Sequence, residues 1–109
     1  MSPYAKYILE REGARTIESE KGFISYKFFG QECFIHTLYV EPEYRRKGAG
    51  TEFFNQVEAI AKEAECKVCS CTVSPKAIGA TDSLMAILAT GFQLVSSDNE
   101  KIVLIKEIE

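Results

Sequence analysis

The most chemically suggestive stretch of this chain is "VEPEYRRKGAGTEF", residues 40–53. Residues 45–47 are two arginines and a lysine, and Gly48 and Gly50 follow directly before a helical pattern. Glycines let a backbone approach a ligand closely, and a helix N-terminus offers unpaired N–H groups and the positive end of the helix dipole. These features favour a phosphate or pyrophosphate ligand. The alternative is an ordinary helix-starting loop with solvated basic side chains.

Two common phosphate-binding motifs do not fit this loop. No Gly-Lys-Ser/Thr ends it, so it is not a Walker loop. The third glycine of the dinucleotide fingerprint is also missing, because "GAG" is followed by Thr-Glu-Phe. The flanking elements therefore have to supply the context that defines the ligand.

The first third of the chain predicts a helix followed by an antiparallel meander. "SPYAKYILEREG" reads as a short helix with Ser2 as its N-cap and Gly13 at its end, and Tyr4, Tyr7 and Ile8 form its apolar stripe. Strands are predicted over three β-rich segments with turn signals between them. These strands span residues 14–20, 23–29 and 32–40.

The rest of the chain predicts helices alternating with strands. Apolar residues recur at helical spacing after the glycine loop. A strand over 67–73 follows, then a helix "ATDSLMAILATG" capped by Thr81 or Asp82, and then a final hairpin. The order α-β-β-β-α-β-α-β-β predicts one α/β domain over 1–109, with a mixed, mostly antiparallel sheet flanked by helices.

Composition and charge disfavour several classes of function. The net charge of −3 argues against nucleic-acid binding, because a nucleic-acid binder is usually basic. No run of about 18 apolar residues occurs, and the N-terminus carries charges where a signal peptide needs an apolar core. We therefore expect a cytoplasmic protein with no nucleic-acid or membrane partner.

The four cysteines do not have the spacing of a metal site. Three of them lie in "CKVCSC", and a zinc site would usually need two separated pairs or more than one histidine. If residues 66–73 form a strand, Cys69 and Cys71 point to one face and Cys66 to the other, which scatters the thiols. We expect Cys33 and these three to be free and buried, with no metal and no disulfide.

The loop and its flanks resemble motif A of the GNAT superfamily of N-acetyltransferases. That motif reads Arg/Gln-x-x-Gly-x-Gly/Ala, and Arg45, Gly48 and Gly50 occupy its defined positions. Val40 and Pro42 match the end of the preceding strand. "LATGFQLV" also resembles the family's "LGF" element, with a threonine in place of the leucine.

The resemblance covers roughly residues 14–109 and implies the acyl-coenzyme A N-acyltransferase fold, with acetyl-coenzyme A as cosubstrate. In the family, the loop amides hold the pyrophosphate. A bulged strand, here 32–40, splays from its neighbour and pairs with the pantetheine arm. The resemblance therefore implies that the coenzyme site comprises Leu38, Tyr39, Val40, Arg45, Arg46, Lys47, Gly48, Ala49, Gly50 and Thr51.

The family's catalytic pattern is less complete in this chain. Many members carry a glutamate where His36 stands, so His36 is a candidate general base, and the alternative is a histidine packed on the sheet. Glu32 and Glu41 are weaker candidates. The family's usual tyrosine acid aligns with Ile87, and Ser83, one turn earlier, is a weak substitute that otherwise serves as a cap or turn residue. Strand alternation also places Tyr39 opposite His36 unless a bulge separates them.

These observations predict an acetyl-coenzyme A-dependent N-acetyltransferase that moves the acetyl group to a primary amine by direct attack. The acceptor would be a small molecule or a protein or peptide. The alternative is a coenzyme-binding or structural module of the same fold, because the tyrosine is missing. Only the segment 1–13 precedes the first strand, so we expect the acceptor side to be open or completed by a second subunit of a homodimer.

Overall fold

The structure, a computed structural model, describes residues 2–108 as helices packed on one sheet. No helix in this described part of the chain is long and apolar enough to cross a membrane. The elements follow the predicted order, which confirms the fold class. They are α1 (Pro3–Glu12), β1 (Arg15–Ser19), β2 (Gly22–Phe29), β3 (Glu32–Val40), α2 (Ala49–Glu63), β4 (Val68–Val73), α3 (Ala80–Ala89), β5 (Gln93–Ser97) and β6 (Ile102–Glu107).

The six strands form a mixed sheet in the order β1-β2-β3-β4-β6-β5. Within residues 2–108 every neighbouring pair is antiparallel except β3 and β4, which run parallel. Parallel neighbours need a crossover connection, and α2 supplies it here. The glycine loop therefore lies at the end of the one parallel pair, between β3 and the N-terminus of α2.

One face of the sheet is covered by α2. Its apolar stripe, which includes Phe53, Phe54 and Val57, is buried against Ile24 and Ile35 of the strands. Full burial of each large apolar side chain contributes about 1.5–3 kcal/mol, so this contact anchors the helix that follows the loop.

The opposite face of the sheet is approached by α1. The ring of Tyr4 lies 4.8 Å from that of Phe23, centroid to centroid. Strand alternation puts Phe23 on the other face from Ile24. The predicted stripe of α1 is only partly correct: Ile8 is buried, but Tyr4 and Tyr7 stay 37% and 53% exposed, and Ala5 takes the inward position.

The N-cap predicted for α3 is wrong. The helix begins at Ala80, and the capping residue is Gly79 with φ +79°, not Thr81 or Asp82. Glycine adopts this left-handed backbone without steric cost, so the helix can start before the polar pair. Asp82 consequently falls in the first turn of α3, where a carboxylate interacts favourably with the helix dipole.

The four cysteines are free and buried, but the prediction that the strand scatters them is wrong. Cys33 of β3 is the register partner of Cys69 of β4, and the interaction with the Cys69 thiol, together with burial, raises the pKa of Cys33. Cys71 lies two residues beyond Cys69 on the same face. Alternation within one strand does not reveal a neighbour on the next strand. No group of three or more potential metal ligands occurs within residues 2–108.

Candidate active site

A cleft opens where β3 and β4 stop pairing. The parallel ladder ends at Ile35 and Cys71, while β3 continues to Val40 and β4 to Val73. The strand ends, the glycine loop and α3 enclose a cavity of about 790 Å³. The divergence leaves strand backbone facing this cavity, so an extended ligand can reach unpaired peptide groups.

β3 carries a bulge at His36. Tyr26 of β2 pairs with Ile35, and Ser25 pairs with Thr37, so His36 is an extra residue without a partner on β2. Bulges end pairing and redirect side chains, and they often lie beside active sites. This bulge lies one residue past the last pair between β3 and β4, at the apex of the cleft.

The bulge changes which residues of β3 share a face. Because the bulge interrupts the alternation of side chains along β3, His36 and Tyr39 face the same side of the sheet. Each ring meets an aromatic neighbour on that side: His36 lies 6.5 Å from Phe34, and Tyr39 lies 5.7 Å from Phe23, between centroids. The opposite orientation expected from uninterrupted alternation is therefore not found.

The backbone of the glycine loop is shaped like an anion site. The loop begins with a 3-10 turn at Pro42–Tyr44, and Arg46 and Gly48 adopt left-handed φ values of +62° and +87°. α2 starts at Ala49 with no side-chain cap, so its first N–H groups are available to a ligand. A left-handed non-glycine residue costs about 1–3 kcal/mol, and strain of this kind is concentrated at functional sites.

Arg45 is held against the end of β3. Its Nε donates a hydrogen bond to the carbonyl oxygen of Val40 at 2.9 Å, and its guanidinium lies 5.8 Å from the ring centroid of Tyr39. The Val40 carbonyl is thus already bonded. The charge of Arg45 is fixed beside the cleft, between the strand end and the loop.

Arg46 reaches across the cleft. Its Nη2 lies 3.1 Å from Oδ2 of Asp82 on α3, and both side chains are largely exposed. An exposed ion pair of this kind contributes little to stability, typically about 0–1 kcal/mol. A polyanionic ligand can therefore recruit Arg46 at small cost. Sequence reasoning had no means of finding this contact, because the two residues lie 36 positions apart.

Most of the predicted coenzyme-site residues line the cleft. Among the predicted residues, only Tyr39 and Lys47 do not line this cavity. The two candidate catalytic residues, His36 and Ser83, also line it. Sequence reasoning missed several apolar residues on the walls of the cleft, because in the sequence they are recognisable only as core residues. They are Ile35, Phe54, Cys71 and Val73.

His36 is exposed to the cleft and hydrogen-bonded at one nitrogen. Its Nδ1 lies 2.8 Å from Oγ1 of Thr37, so Nε2 remains available. On the opposite wall, Ile87 is 6% exposed and Ser83 is exposed on the first turns of α3. Ile87 offers no proton, and the hydroxyl of Ser83 lies one turn earlier on the same helix and also lines the cleft.

Cys71 lies at the apex of the cleft, but its thiol is a poor nucleophile. Burial and the neighbouring Cys69 raise the pKa of Cys71 to about 12. At neutral pH the thiol is therefore protonated, and the thiolate is the reactive form. This favours transfer without a cysteine intermediate.

Comparison with known proteins establishes the family. The profile of the acetyltransferase (GNAT) family matches residues 8–82, which is more than half of the chain. The chain therefore belongs to the GNAT acetyltransferase family. The predicted family is confirmed, and so, at the level of that family, is the predicted enzyme class of acyltransferase. No curated protein sequence matches the chain significantly.

Solved structures of this family have the same fold at low sequence identity. The PaiA N-acetyltransferase of Thermoplasma acidophilum, in complex with coenzyme A, matches 79% of this chain and 52% of its own, at 23% identity and a TM-score of 0.72. This chain thus spans about half the length of that protein. An acetyltransferase of Bacillus subtilis, also in complex with coenzyme A, matches 97% and 83%, at 14% identity and a TM-score of 0.74.

A third structure comes from an enzyme with a protein acceptor. The ribosomal-protein-alanine N-acetyltransferase of Escherichia coli matches 99% of this chain and 77% of its own, at 12% identity and a TM-score of 0.73. At these identities the three structures establish the fold alone.

Proposed function

We propose that the protein transfers an acetyl group from acetyl-coenzyme A to a primary amine by direct attack. The observation that carries the proposal is the cleft between the diverging ends of β3 and β4, which leads to the uncapped N-terminus of α2. An extended arm fits between strands that no longer pair, and a pyrophosphate fits a helix N-terminus flanked by arginines. Two solved structures with a similar fold are complexes with coenzyme A, and this supports the proposal.

The loop is assigned to the pyrophosphate. The N–H groups from Arg46 to Thr51 belong to a segment with two left-handed residues and the start of α2. Successive N–H donors in backbone of this shape form a concave site for an anion. Arg46 would exchange its partner Asp82 for phosphate oxygens, and Arg45 would contribute charge from its fixed position. Leu38 and Gly50 are neighbours on one wall of the cleft and would border the path of the pantetheine arm.

His36 is assigned the role of general base. Its Nε2 would take the proton of the attacking amine, directly or through a water molecule. The amine nitrogen then bonds to the thioester carbon, the C–S bond breaks, and the coenzyme leaves as a thiolate that is protonated by solvent or by a water near Ser83. Unpaired N–H groups of β3 beyond Ile35 would stabilise the oxyanion.

The acceptor and the assembly state are further parts of the proposal. The cleft is open to solvent beside His36, and this suits an amine on a small molecule or on a peptide. A homodimer could complete the acceptor side. The alternative function, a coenzyme-binding module without turnover, is favoured by one observation: Ile87 replaces a proton donor on the wall of the cleft.

Release of coenzyme A thiol in the presence of an amine panel tests the proposal and separates these two functions. The panel should contain polyamines, amino acids, aminoglycosides and peptides with free N-termini. We expect amine-dependent thiol release with at least one class, together with an acetylated product of matching mass. Binding of acetyl-coenzyme A without release for any class would support the module instead.

A further inference from the structure

The contact between His36 and Thr37 exists because of the bulge. Consecutive residues of a regular strand point to opposite faces, so their side chains do not meet. Here His36 is the extra residue of the bulge, and its Nδ1 lies 2.8 Å from Oγ1 of Thr37. One ring nitrogen is therefore bonded within the sheet, and Nε2 is left for the cleft that His36 lines.

Thr37 belongs to a row of hydroxyl side chains that crosses three strands. Thr16 of β1 pairs with Ser25 of β2, and Ser25 pairs with Thr37 of β3. Ser25 is 0% exposed, and its Oγ lies 3.1 Å from Oγ1 of Thr16. A β-branched threonine is also stiff at χ1. The Thr37 side chain is therefore restrained and can hold the imidazole ring of His36 in one orientation.

We propose that Thr37 is a positioning residue for His36. Its hydroxyl accepts a hydrogen bond from Nδ1–H of the neutral imidazole and leaves the Nε2 lone pair facing the cleft. The proposal rests on the proposed function, in which His36 is the base. The hydrogen bond at one ring nitrogen sets the tautomer, and a base needs its lone pair on the substrate side.

The opposite bond direction would have the opposite consequence. If Thr37 donated its hydroxyl proton to Nδ1, then Nε2 would carry the proton. The ring would present a donor to the cleft and could not accept the proton of an amine. The tautomer of His36 therefore decides between a positioned base and a ring that is only held in place.

Imidazole ¹⁵N NMR of the intact protein tests the proposal without any substrate. The chain has a single histidine, so the spectrum reports on His36 alone. The spectrum is recorded at a pH of about 8.5, roughly two units above the ordinary pKa of imidazole. We expect the Nδ1–H tautomer to predominate in the wild type and in Thr37→Ser, and to lose its dominance in Thr37→Val. A dominant Nε2–H tautomer, or the same tautomer ratio in Thr37→Val, overturns the proposal.

Turnover gives a second readout. Thr37→Val should lower kcat by about 10-fold while the KM for acetyl-coenzyme A changes by less than about 2-fold, and Thr37→Ser should restore kcat. Thr81→Val, at an exposed position of α3 outside the cleft lining, is the matched control and should change neither. Equal kcat in Thr37→Val and the wild type contradicts the positioning role. If no amine is acetylated by the wild type, the proposed function fails, and the NMR spectrum still decides the role of Thr37.

Discussion

His36 is the residue on which the proposed chemistry depends most. It lies at the apex of the cleft, on the bulge of β3, and its ring is reachable from solvent. The sequence shows that position 36 is a histidine. It does not show that His36 lacks a partner on β2 or that its ring is hydrogen-bonded to Thr37. These two features come from the local register of the sheet.

Replacing His36 with alanine should separate chemistry from binding. A general base typically contributes 10²–10⁴-fold, so His36→Ala should lower kcat by about that factor with acetyl-coenzyme A binding unchanged. Steady-state kinetics and equilibrium binding measure the two quantities. If binding and turnover fall by the same factor, His36 is a structural residue of the site rather than its base.

Gly50 offers a clean substitution in the loop. A Cβ added there would lie 3.7 Å from Cδ2 of Leu38, in ordinary contact, and the residue is helical. Gly50→Ala should therefore raise unfolding stability by about 0.5–1 kcal/mol, because alanine is the better helix former. The motif accepts alanine at this position, so Gly50→Ala should bind acetyl-coenzyme A about as well as the wild type. The larger side chain of Gly50→Leu should enter the cleft, which Gly50 lines, and weaken binding by about 10-fold.

Thermal unfolding checks the stability of Gly50→Ala, and a binding titration compares the affinities of Gly50→Ala and Gly50→Leu. Gly48 is less suitable, because its φ of +87° makes any side chain strained. The matched control is Ala59→Gly, at an exposed position of the same helix. It should lower stability without changing affinity. Unchanged affinity in Gly50→Leu would place the ligand elsewhere.

The β2–β3 hairpin positions the bulge, and Gly22 is the residue that permits close pairing of the two strands at the open end of this hairpin. A Cβ at Gly22 would lie 1.9 Å from the carbonyl oxygen of Tyr39, and φ is +146°. Gly22→Ala should therefore destabilise the fold by more than about 3 kcal/mol, because backbone atoms would have to move. Gly30→Ala, at the other end of the same hairpin, meets open space and should cost less. Urea denaturation compares the variants, and equal losses would contradict this role for Gly22.

The cysteines of β3 and β4 give the core a pH dependence. The pKa of Cys71 is raised to about 12 by burial, so the native state keeps a proton that the unfolded thiol loses near pH 9. The stability from this group is complete below pH 9 and is lost as pH rises toward 12. Cys71→Ala should therefore reduce the drop in unfolding free energy between pH 8 and 10.

A core variant without a titratable group controls for the cavity. Val57→Ala, at a position that is 0% exposed, should lower stability at both pH values by a similar amount, about 1–3 kcal/mol. Urea unfolding under reducing conditions measures all three proteins. If the unfolding free energy of Cys71→Ala falls between pH 8 and 10 by as much as that of the wild type, groups other than Cys71 cause the loss of stability at alkaline pH.

The elements differ in how far the sequence predicted them. The stripe of α2 and the meander β1–β3 follow from periodicity and turn residues, and both were predicted closely. The start of α3 was missed because the helix begins at Ala80 with Gly79 as its N-cap, one residue before the polar pair that sequence preference favours as the cap. The register between β3 and β4 was also missed, and with it the contact of Cys33 with Cys69, because strand pairing is a long-range property.

At the scale of the whole molecule, the cleft joins parts that are distant along the chain. β3 and the glycine loop supply one wall, and β4 and α3 supply the other, with Arg46 and Asp82 in contact across it. The position of the glycine loop before α2 could be predicted because the motif and the helix lie together in sequence. The opposite wall could not, because it depends on how the sheet places α3.

Equilibrium dialysis of acetyl-coenzyme A against the wild-type protein and Gly50→Leu is the most direct test of the proposed binding site. The predicted result is saturable binding of one ligand per chain with a Kd in the range of about 1 µM to 1 mM, and weaker binding in the variant. Competition by unlabelled coenzyme A should remove the signal. No saturable binding at millimolar ligand, or equal binding by both proteins, would contradict the assignment of the glycine loop and the β3–β4 cleft to the coenzyme.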